Sequence, residues 1–399
     1  MVRIYMSGVG RVYNHVSARS RVGRQLRRRC RPRGGPVPPL RLIAAAWALA
    51  WTAGCSPTYV LQAGLAEAEI LGARRPLPEV VLDPETDPRT RHILTFVMEA
   101  REFGIDQLGL DAGASYTSFV ELESDTLALV LSAAYRDRLV PRTWWFPVVG
   151  HVPYRGFFDE DAALEEQERL EEEGFDTYLR PTSAFSTLGW FDDPLLSSAL
   201  GFDEIEAVAT VLHEMAHEHL FVPSRVRFNE SYANAVGRVG AAEFFCTRPG
   251  GGPDTVKCQR AWARWRDTQR YSAFLDRFLG ELDALYADST RTPEEKIGDR
   301  DAVFAAARQR YVAELRPSLE SLTFGSFLSV ELNNATVLAR LRYYHRLPDF
   351  GRFIEARGGL GAALADLAAS ARSTEDPFEL LAAPTSPRGA DLPSRPLTP

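Results

Sequence analysis

The spacing of apolar residues along the chain predicts a mostly helical protein. Apolar positions three and four residues apart recur in eight stretches, and this is the spacing of one face of an α-helix. The predicted helices cover residues 56–75, 88–104, 202–221, 229–245, 256–287, 293–320, 325–346 and 358–371. The acidic stretch 159–176 predicts a further helix whose charged outer face lies in solvent.

The pattern changes between residues 112 and 155, and this region predicts a small β element. β-branched and aromatic residues are frequent there and Pro and Gly interrupt them, which indicates one or two short strands among loops. Residues 178–196 are aromatic but rich in turn residues, so we expect more loop than strand. The fold class that these patterns predict is mainly α with a small β element, an α+β fold.

Charge is distributed unevenly and argues against a nucleic-acid partner. The 399-residue chain carries a formal net charge of −7. Residues 1–54 hold eleven Arg and no acidic residue, so the rest of the chain has a net charge of about −18. Such an acidic body would repel phosphate groups rather than neutralise them. We therefore interpret the basic N-terminus as a targeting feature and expect no nucleic-acid partner.

Residues 1–54 have the features of a bacterial signal peptide. The apolar run 42–54 is thirteen residues long, whereas a helix needs about 20 to cross a bilayer. Arg41 provides a basic flank, and small residues lead to Cys55 at the end of the run. This ending resembles the lipobox of bacterial lipoproteins, although Thr52 stands where an aliphatic residue is usual. The alternatives are an ordinary cleaved signal and a short buried helix.

A lipidated Cys55 implies a protein of the cell envelope, attached to a membrane through an N-terminal lipid anchor. The chain then divides into a signal peptide with lipobox at 1–54, one domain at 55–372 and a disordered Pro-rich tail at 373–399. Ser56 follows the anchor in place of the Asp that commonly retains lipoproteins at the inner membrane, which favours the outer membrane. Facing the oxidising periplasm, Cys246 and Cys258 either form a disulfide or remain two thiols.

A metal-binding motif lies in the predicted helix 202–221. Residues four apart lie on one face of a helix, so His213 and His217 can bind the same ion. Glu214 follows the first His and reaches a water on that ion. This HExxH pattern predicts a zinc hydrolase with Glu214 as the catalytic base. The alternative is an ordinary helix with two surface histidines.

The third zinc ligand is predicted on the next helix. A third His six residues after His217 is excluded, because Pro223 occupies that position. Glu230 lies in the first turn of the following helix, and a short loop is enough to bring that helix beside the motif. Asn234, one turn further, is predicted to brace the ligand. Glu243 is the rival for the third position.

Other polar residues are candidates for substrate contacts, each with a purely structural alternative. Asp192 or Asp193 would receive a free α-amine, unless this Asp–Pro stretch only shapes a turn. Tyr154 and Arg155 would bind a substrate carbonyl or carboxylate, unless their role is structural. The group that stabilises the oxyanion would be Tyr343, Tyr344 or His345, and the choice remains open. Glu218 and His219 point around the helix from His217 and are expected on the surface.

Several motifs together resemble a known bacterial family. They are HEMAHEHLF followed by FNESYANAVG, VPYRGFF at 152–158, STLGWFDDPLLS at 186–197 and LNNATVLARLRYYHRLPDF at 332–350. In this order they are similar to the family labelled putative aminopeptidases, which groups predicted zinc peptidases, often with a lipoprotein signal. The resemblance covers most of residues 55–372. It implies a zincin-like core of gluzincin type, with His213, His217 and Glu230 as zinc ligands and Glu214 as base.

The leading functional prediction is a zinc-dependent peptidase that cleaves a peptide substrate by metal-activated water. The resemblance favours an aminopeptidase, but no residue that anchors a charged terminus stands out, so endopeptidase activity remains open. An alternative is a non-catalytic envelope lipoprotein that retains the fold as a binding module. A third possibility is a zinc hydrolase of a non-peptide amide or ester.

Overall fold

The computed structural model describes residues 3–5, 70–111, 113–122, 128–146, 150–182, 184–186, 194–201 and 203–382. The predicted lipobox with Cys55, most of the predicted helix 56–75, and both Asp192 and Asp193 lie outside these residues. The protein is mainly helical, at 63%, with a few small sheets. This confirms the predicted α+β class in its coarse form.

The helices are numbered in chain order over the described residues. They are α1 Leu77–Leu82, α2 Pro88–Asp106, α3 Glu160–Glu172, α4 Glu204–His219, α5 Val226–Thr247, α6 Val256–Ala287, α7 Pro293–Arg310, α8 Arg316–Ser318, α9 Ser326–Ser329, α10 Asn334–Leu341, α11 Leu347–Ala356 and α12 Leu360–Ser370. One π-helical turn, Tyr311–Leu315, joins α7 to α8. Short 3₁₀ segments are Ser197–Gly201, Ala371–Ser373 and Pro377–Ala382.

The strands are short and form four small sheets among the described residues. They are β1 Arg3–Tyr5, β2 Arg75–Pro76, β3 Ser118–Val120, β4 Ala128–Tyr135, β5 Trp144–Phe146, β6 Gly150–Val152, β7 Arg155–Phe157, β8 Phe175–Thr182, β9 Ala184–Ser186 and β10 Leu195–Leu196. The sheet orders are β1-β9, β10-β3-β2, β7-β4-β8 and β5-β6. β1 belongs to the predicted signal peptide, so its pairing with β9 exists only in a chain that retains residues 1–54.

The sheet β7-β4-β8 presents different faces to its two neighbours. Along β8, residues alternate between faces, as in any strand. Leu179 packs with Leu131 of β4 into the cluster that includes Ala163 and Leu170 of α3. The opposite face of β8 carries charged residues, and its Asp176 binds Arg300 of α7. The sheet therefore separates a small apolar cluster from the large helical body.

Two apolar clusters form the helical body. The larger one surrounds α4 and α5 and includes residues of α1, α2, α6, α11 and α12. The second lies between α6, α7, α9 and α10, where Phe278 and Phe327 are wholly buried. Cys246 at the end of α5 and Cys258 at the start of α6 form a disulfide across the connecting loop. Within the described part of the chain, every helix is too short or too polar to cross a bilayer.

Several predicted helices have the expected extent, but one is broken. The helix predicted over 325–346 ends at Ser329, restarts as α10 and is followed by α11, which the apolar pattern did not separate. The break arises because Asn333 caps α10, with its side chain accepting from the Thr336 amide and the Thr336 hydroxyl accepting in return. The backbone turns again at Arg346, whose φ is +55°.

Two predictions from composition are wrong. The stretch that begins at Tyr178 was expected to be loop, yet β8 runs to Thr182 and pairs with β4 along its whole length. One face of β8 carries buried charged residues, so the strand lacks the simple alternation of apolar and polar residues by which strands are usually predicted. The tail was expected to be disordered from 373, yet Pro377–Ala382 is helical. Phe378 and Leu381 are buried in the larger cluster, which explains the order of this segment.

Candidate metal centre

Helix α4 carries the motif and begins at a strong N-cap. The Asp203 side chain accepts a hydrogen bond from the Glu206 amide, and Arg264 of α6 forms an ion pair with the same carboxylate. Burial and these contacts act on Asp203 in opposite directions, and its pKa is lowered. Val208 and Leu212 on the buried face are wholly enclosed. The helix is thus fixed at its start and along one side.

A tight turn reverses the chain between α4 and α5. The buried Asn229 side chain binds the Val222 backbone twice: its oxygen accepts from the amide at 3.0 Å, and its nitrogen donates to the carbonyl at 2.8 Å. Ser224 has a φ of +62°, which completes the reversal. Helix α5 therefore starts at Val226, three residues earlier than predicted. This clamp fixes the residue directly before Glu230.

The close approach of α4 and α5 requires a glycine. A Cβ atom at Gly237 would lie 3.1 Å from the His213 Cβ and well inside van der Waals distance of the Ala209 carbonyl oxygen. One residue later, Arg238 forms two hydrogen bonds with Glu206 of α4, at 2.6 and 2.8 Å. The two helices are consequently held at a separation that only a residue without a side chain permits.

Three donor atoms converge between these helices. The Nε2 atoms of His213 and His217 lie 3.2 Å apart. The Glu230 Oε2 atom lies 3.6 Å from the first and 3.4 Å from the second. Glu230 is wholly buried, and His217 is 8% exposed. These residues, which we call the donor triangle, are the ones that the sequence predicted as metal ligands, and they could hold a metal ion.

The dimensions of the donor triangle fit a tetrahedral ion. Zinc bonds to imidazole nitrogen and carboxylate oxygen are about 2.0–2.2 Å long, so tetrahedral donors lie about 3.3–3.5 Å apart. The three sides of the triangle, from 3.2 to 3.6 Å, agree with that separation. Two His and one Glu are also a donor set of catalytic zinc sites, which leave a fourth position open. The residues present therefore fit the metal that the motif implies.

A family model described as "Putative aminopeptidase" matches residues 58–375. The chain belongs to this family. The match covers most of the chain and includes both helices of the donor triangle. No curated protein and no solved structure matches the chain. Family membership therefore suggests a peptidase. The metal and the roles of individual residues have to be inferred from the geometry of the site.

Glu214 and the rival ligand Glu243 have different surroundings. Glu214 lies on α4 directly after His213 and is 8% exposed. Glu243 lies thirteen residues after Glu230 on α5, which places it about 20 Å further along the helix axis. Burial raises the pKa of the Glu243 carboxyl, and a hydrogen bond from the Leu360 backbone opposes this shift. Glu243 thus lies outside the donor triangle.

Among the three oxyanion candidates, Tyr343 lies at the donor triangle. Its ring stacks on that of His213 at a centroid distance of 6.4 Å. Burial, followed by the negative charge of Glu230, raises the pKa of the Tyr343 hydroxyl. Tyr344 instead packs against Tyr271 and Phe324.

The third candidate, His345, is directed away from the donor triangle. Its Nδ1 atom lies 2.6 Å from the carboxylate of Asp276 on α6. Its ring also packs edge-on against Phe378 of the C-terminal segment, with the centroids 5.0 Å apart. His345 therefore belongs to the packing between α6 and the C-terminal segment.

Asn234 binds the backbone beyond α10. Its side-chain nitrogen donates to the Tyr343 carbonyl at 2.8 Å, so it braces the chain that carries this tyrosine. Asn234 thus lies on the side of α5 that faces the end of α10, and its support of the ligand stays a prediction. His219, predicted on the surface, is half-buried, and its Nδ1 lies 3.4 Å from the exposed carboxylate of Asp111.

Tyr154 and Arg155 point to opposite sides of the sheet. Tyr154 is buried against the Arg342 guanidinium, which lies 4.6 Å from the centre of its ring. Arg155 lies 3.7 Å from Glu166 of α3. Sequence reasoning missed Asn229, Gly237 and Arg342, although the small residues of YANAVGRVG were a usable signal of close helix packing.

Proposed function

We propose that this protein is a zinc-dependent peptidase, most consistent with an aminopeptidase, that uses Glu214 as its general base. The observation that carries the proposal is the donor triangle, whose sides match tetrahedral zinc and whose first histidine precedes a buried carboxylate. Membership of the putative aminopeptidase family supports a peptide substrate.

The residues of the chain have separate tasks in this proposal. A bound zinc ion supplies a Lewis acid and lowers the pKa of a water in the open position. Glu214 accepts the proton of the attacking water and passes it to the departing amine. Tyr343, whose ring stacks on His213, donates a hydrogen bond to the oxygen that becomes negative. The turn clamped by Asn229 holds Glu230 in place.

We further propose that the protein is anchored at the envelope through Cys55, on the periplasmic side and at the outer membrane. The apolar run, its basic flank and the small residues before Cys55 support this proposal. Mass spectrometry of the N-terminus of membrane-extracted protein tests it. A lipidated Cys55 is expected, and a soluble chain that retains residues 1–54 would contradict it.

Metal binding is tested by two substitutions on the same helix. The purified protein is expected to bind one zinc ion. Loss of a hydrogen bond to a metal ligand weakens metal binding about 10–100-fold, and Glu230→Gln, which removes a ligand itself, should weaken it more. Glu243→Gln is the matched control and should bind zinc as the unmodified protein does. Equal zinc affinity in both variants would show that the donor triangle is not the metal site.

Catalysis is tested by Glu214→Gln, which removes the base while preserving the size of the side chain. The variant should bind one zinc ion but hydrolyse peptides about 10²–10⁴-fold more slowly, the usual contribution of a general base. Peptide-library hydrolysis, read by mass spectrometry, provides the rate. A zinc-loaded unmodified protein that cleaves no peptide would instead favour a non-catalytic binding module.

A further inference from the structure

Two buried arginines near the donor triangle differ from the other buried arginines of the described residues. Arg264 pairs with Asp203, Arg300 pairs with Asp176, and Arg340 donates to two backbone carbonyls. Arg180 and Arg342, at 8% and 5% exposure, have neither an ion pair with a carboxylate that the structure describes nor hydrogen bonds like those of Arg340. A buried cation without a counter-charge is costly, so these two positions need a reason.

The polar atoms of this pair are largely unused. The Nε and Nη2 atoms of Arg180 and the Nη1 atom of Arg342 are buried and form no hydrogen bond. The remaining Arg180 nitrogen has only a long contact of 3.5 Å to the carbonyl of Pro181. The Tyr154 hydroxyl, also buried, has no hydrogen-bond partner. Several donors therefore converge on one small region without an acceptor.

The fold places these donors together. Arg180 of β8 lies opposite Val130 of β4, and Val130 packs with Tyr154 on the same sheet face. Arg342 follows the last residue of α10, and its guanidinium covers the Tyr154 ring at 4.6 Å. Burial, assisted by the nearby charge of Arg342, lowers the pKa of the Arg180 guanidinium. Both cations therefore lie on the Val130–Tyr154 side of the sheet.

Tyr343 connects this region to the donor triangle. It directly follows Arg342, and its ring stacks on His213. Because Tyr343 follows Arg342 and stacks on His213, an anion held by Arg342 would lie on the Tyr343 side of the donor triangle.

We propose that Arg180 and Arg342, with the Tyr154 hydroxyl, form a carboxylate-binding subsite that selects peptides with a carboxylate near the cleaved bond. This inference rests on the proposed peptidase function. Guanidinium groups bind carboxylates through paired hydrogen bonds, and a carboxylate would satisfy both the unused donors and the excess charge. The carboxylate belongs either to the C-terminus of a short peptide or to an acidic side chain.

The first test compares substrates on the zinc-loaded protein. Alanine peptides of two to six residues are supplied as free acids and as C-terminal amides. A charged hydrogen bond contributes about 1.5–3 kcal/mol, so the free acid should have a kcat/KM at least about tenfold higher at the shortest cleaved lengths. An amide with one aspartate identifies the source, because recovery of the rate assigns the subsite to acidic side chains. Equal rates for acids and amides at every length, with no effect of aspartate, overturn the proposal.

The second test uses variants. Arg180→Gln and Arg342→Gln should each abolish the difference between acid and amide, chiefly through KM. Arg277→Gln on the exposed side of α6 is the control and should preserve the difference. If the arginine variants slow the acid and the amide equally, the arginines act on the reaction itself and the subsite does not exist.

A binding measurement separates this inference from the proposed function. Calorimetric titration of the metal-free protein with trialanine and with trialanine amide requires no hydrolysis. The free acid should bind at least about tenfold more tightly, and Arg342→Gln should remove this preference. Tight binding of the acid without hydrolysis by the zinc-loaded protein would reject the peptidase but keep the subsite. Hydrolysis without a preference for the free acid would support the peptidase and reject the subsite.

Discussion

Two regions lie next to the candidate site: the helix pair α4–α5, and the contact between β8 and α10. They differ in how many of their polar groups have hydrogen-bond or ion-pair partners. In the helix pair, Asn229 binds the Val222 backbone twice and Arg238 binds Glu206 twice. Each of these donors has an acceptor, and the Arg238 cation has the Glu206 carboxylate as its counter-charge. This side of the site is built for a fixed separation.

The contact between β8 and α10 is satisfied at one end only. At the start of α10, Asp176 accepts from the Asn334 amide and from both terminal nitrogens of Arg300. At the other end, Arg180 and Arg342 are buried and form no ion pair with a carboxylate in the described part of the chain. This difference indicates that the end with Asp176 and Arg300 stabilises the fold. The end with Arg180 and Arg342 instead keeps positive charge without a counter-charge near the proposed site.

The largest expected effect comes from breaking the satisfied end. Asp176→Asn leaves the Arg300 guanidinium buried without its counter-charge and should lower the free energy of unfolding by about 3–5 kcal/mol. Urea denaturation followed by circular dichroism measures this change. A loss below about 1 kcal/mol would mean that the two ends of the contact do not differ as described.

The clamp at the turn before Glu230 should have the next largest effect. Asn229→Ala leaves a buried amide and a buried carbonyl of Val222 without partners and should cost about 2–4 kcal/mol of stability. The matched variant Asn234→Ala removes a single hydrogen bond to Tyr343 and should cost less. Denaturant midpoints of the two variants provide the comparison, and a larger loss for Asn234→Ala would contradict it.

Close packing of the helix pair is tested by one methyl group. Gly237→Ala introduces a Cβ against the Ala209 carbonyl and His213, which should destabilise the protein by about 1–3 kcal/mol. Zinc affinity should fall with it, because His213 and Glu230 must separate. Gly280→Ala in α6 has open space around it and should instead stabilise the protein by about 0.5–1 kcal/mol. Similar behaviour of both variants would show that the helix spacing is adjustable.

The smallest change in stability is expected at the unsatisfied end. Arg180→Met replaces the buried cation with an apolar side chain of similar length, and its stability should remain within about 1 kcal/mol of the unmodified protein or exceed it. Thermal unfolding of the metal-free protein measures this. A loss as large as that of Asp176→Asn would reveal a counter-charge for Arg180 and remove the distinction between the two ends.

Sequence patterns predicted the long elements and the local chemistry of the site. The start of α4 follows from Asp203, and α6 has the predicted bounds, because long amphipathic helices with clear caps carry their own signals. The choice of Glu230 follows from its place near the start of the helix that comes after a short loop. These features depend on residues close together in the chain.

The parts that escaped prediction depend on contacts across the chain. Nothing near Arg180 indicates that Arg342 lies on the same side of the sheet, because this arrangement arises only when β8 packs on α10. The hydrogen bond from Asn234 to the backbone of Tyr343 joins residues more than a hundred positions apart, and no local pattern indicates it. The end of β8 also resembled a loop, because Pro181 and the residues after it are typical of turns, whereas its pairing with β4 depends on a distant part of the chain.

The short helix Pro377–Ala382 has a practical consequence for anyone trimming this chain. The family match ends at residue 375, which makes that position a tempting place to stop. The ring of Phe378 packs edge-on against Phe228, with centroids 5.3 Å apart, and Phe228 is two residues before Glu230. A shortened version would expose the root of the ligand-bearing helix to water, so a natural boundary for recombinant work lies beyond Leu381.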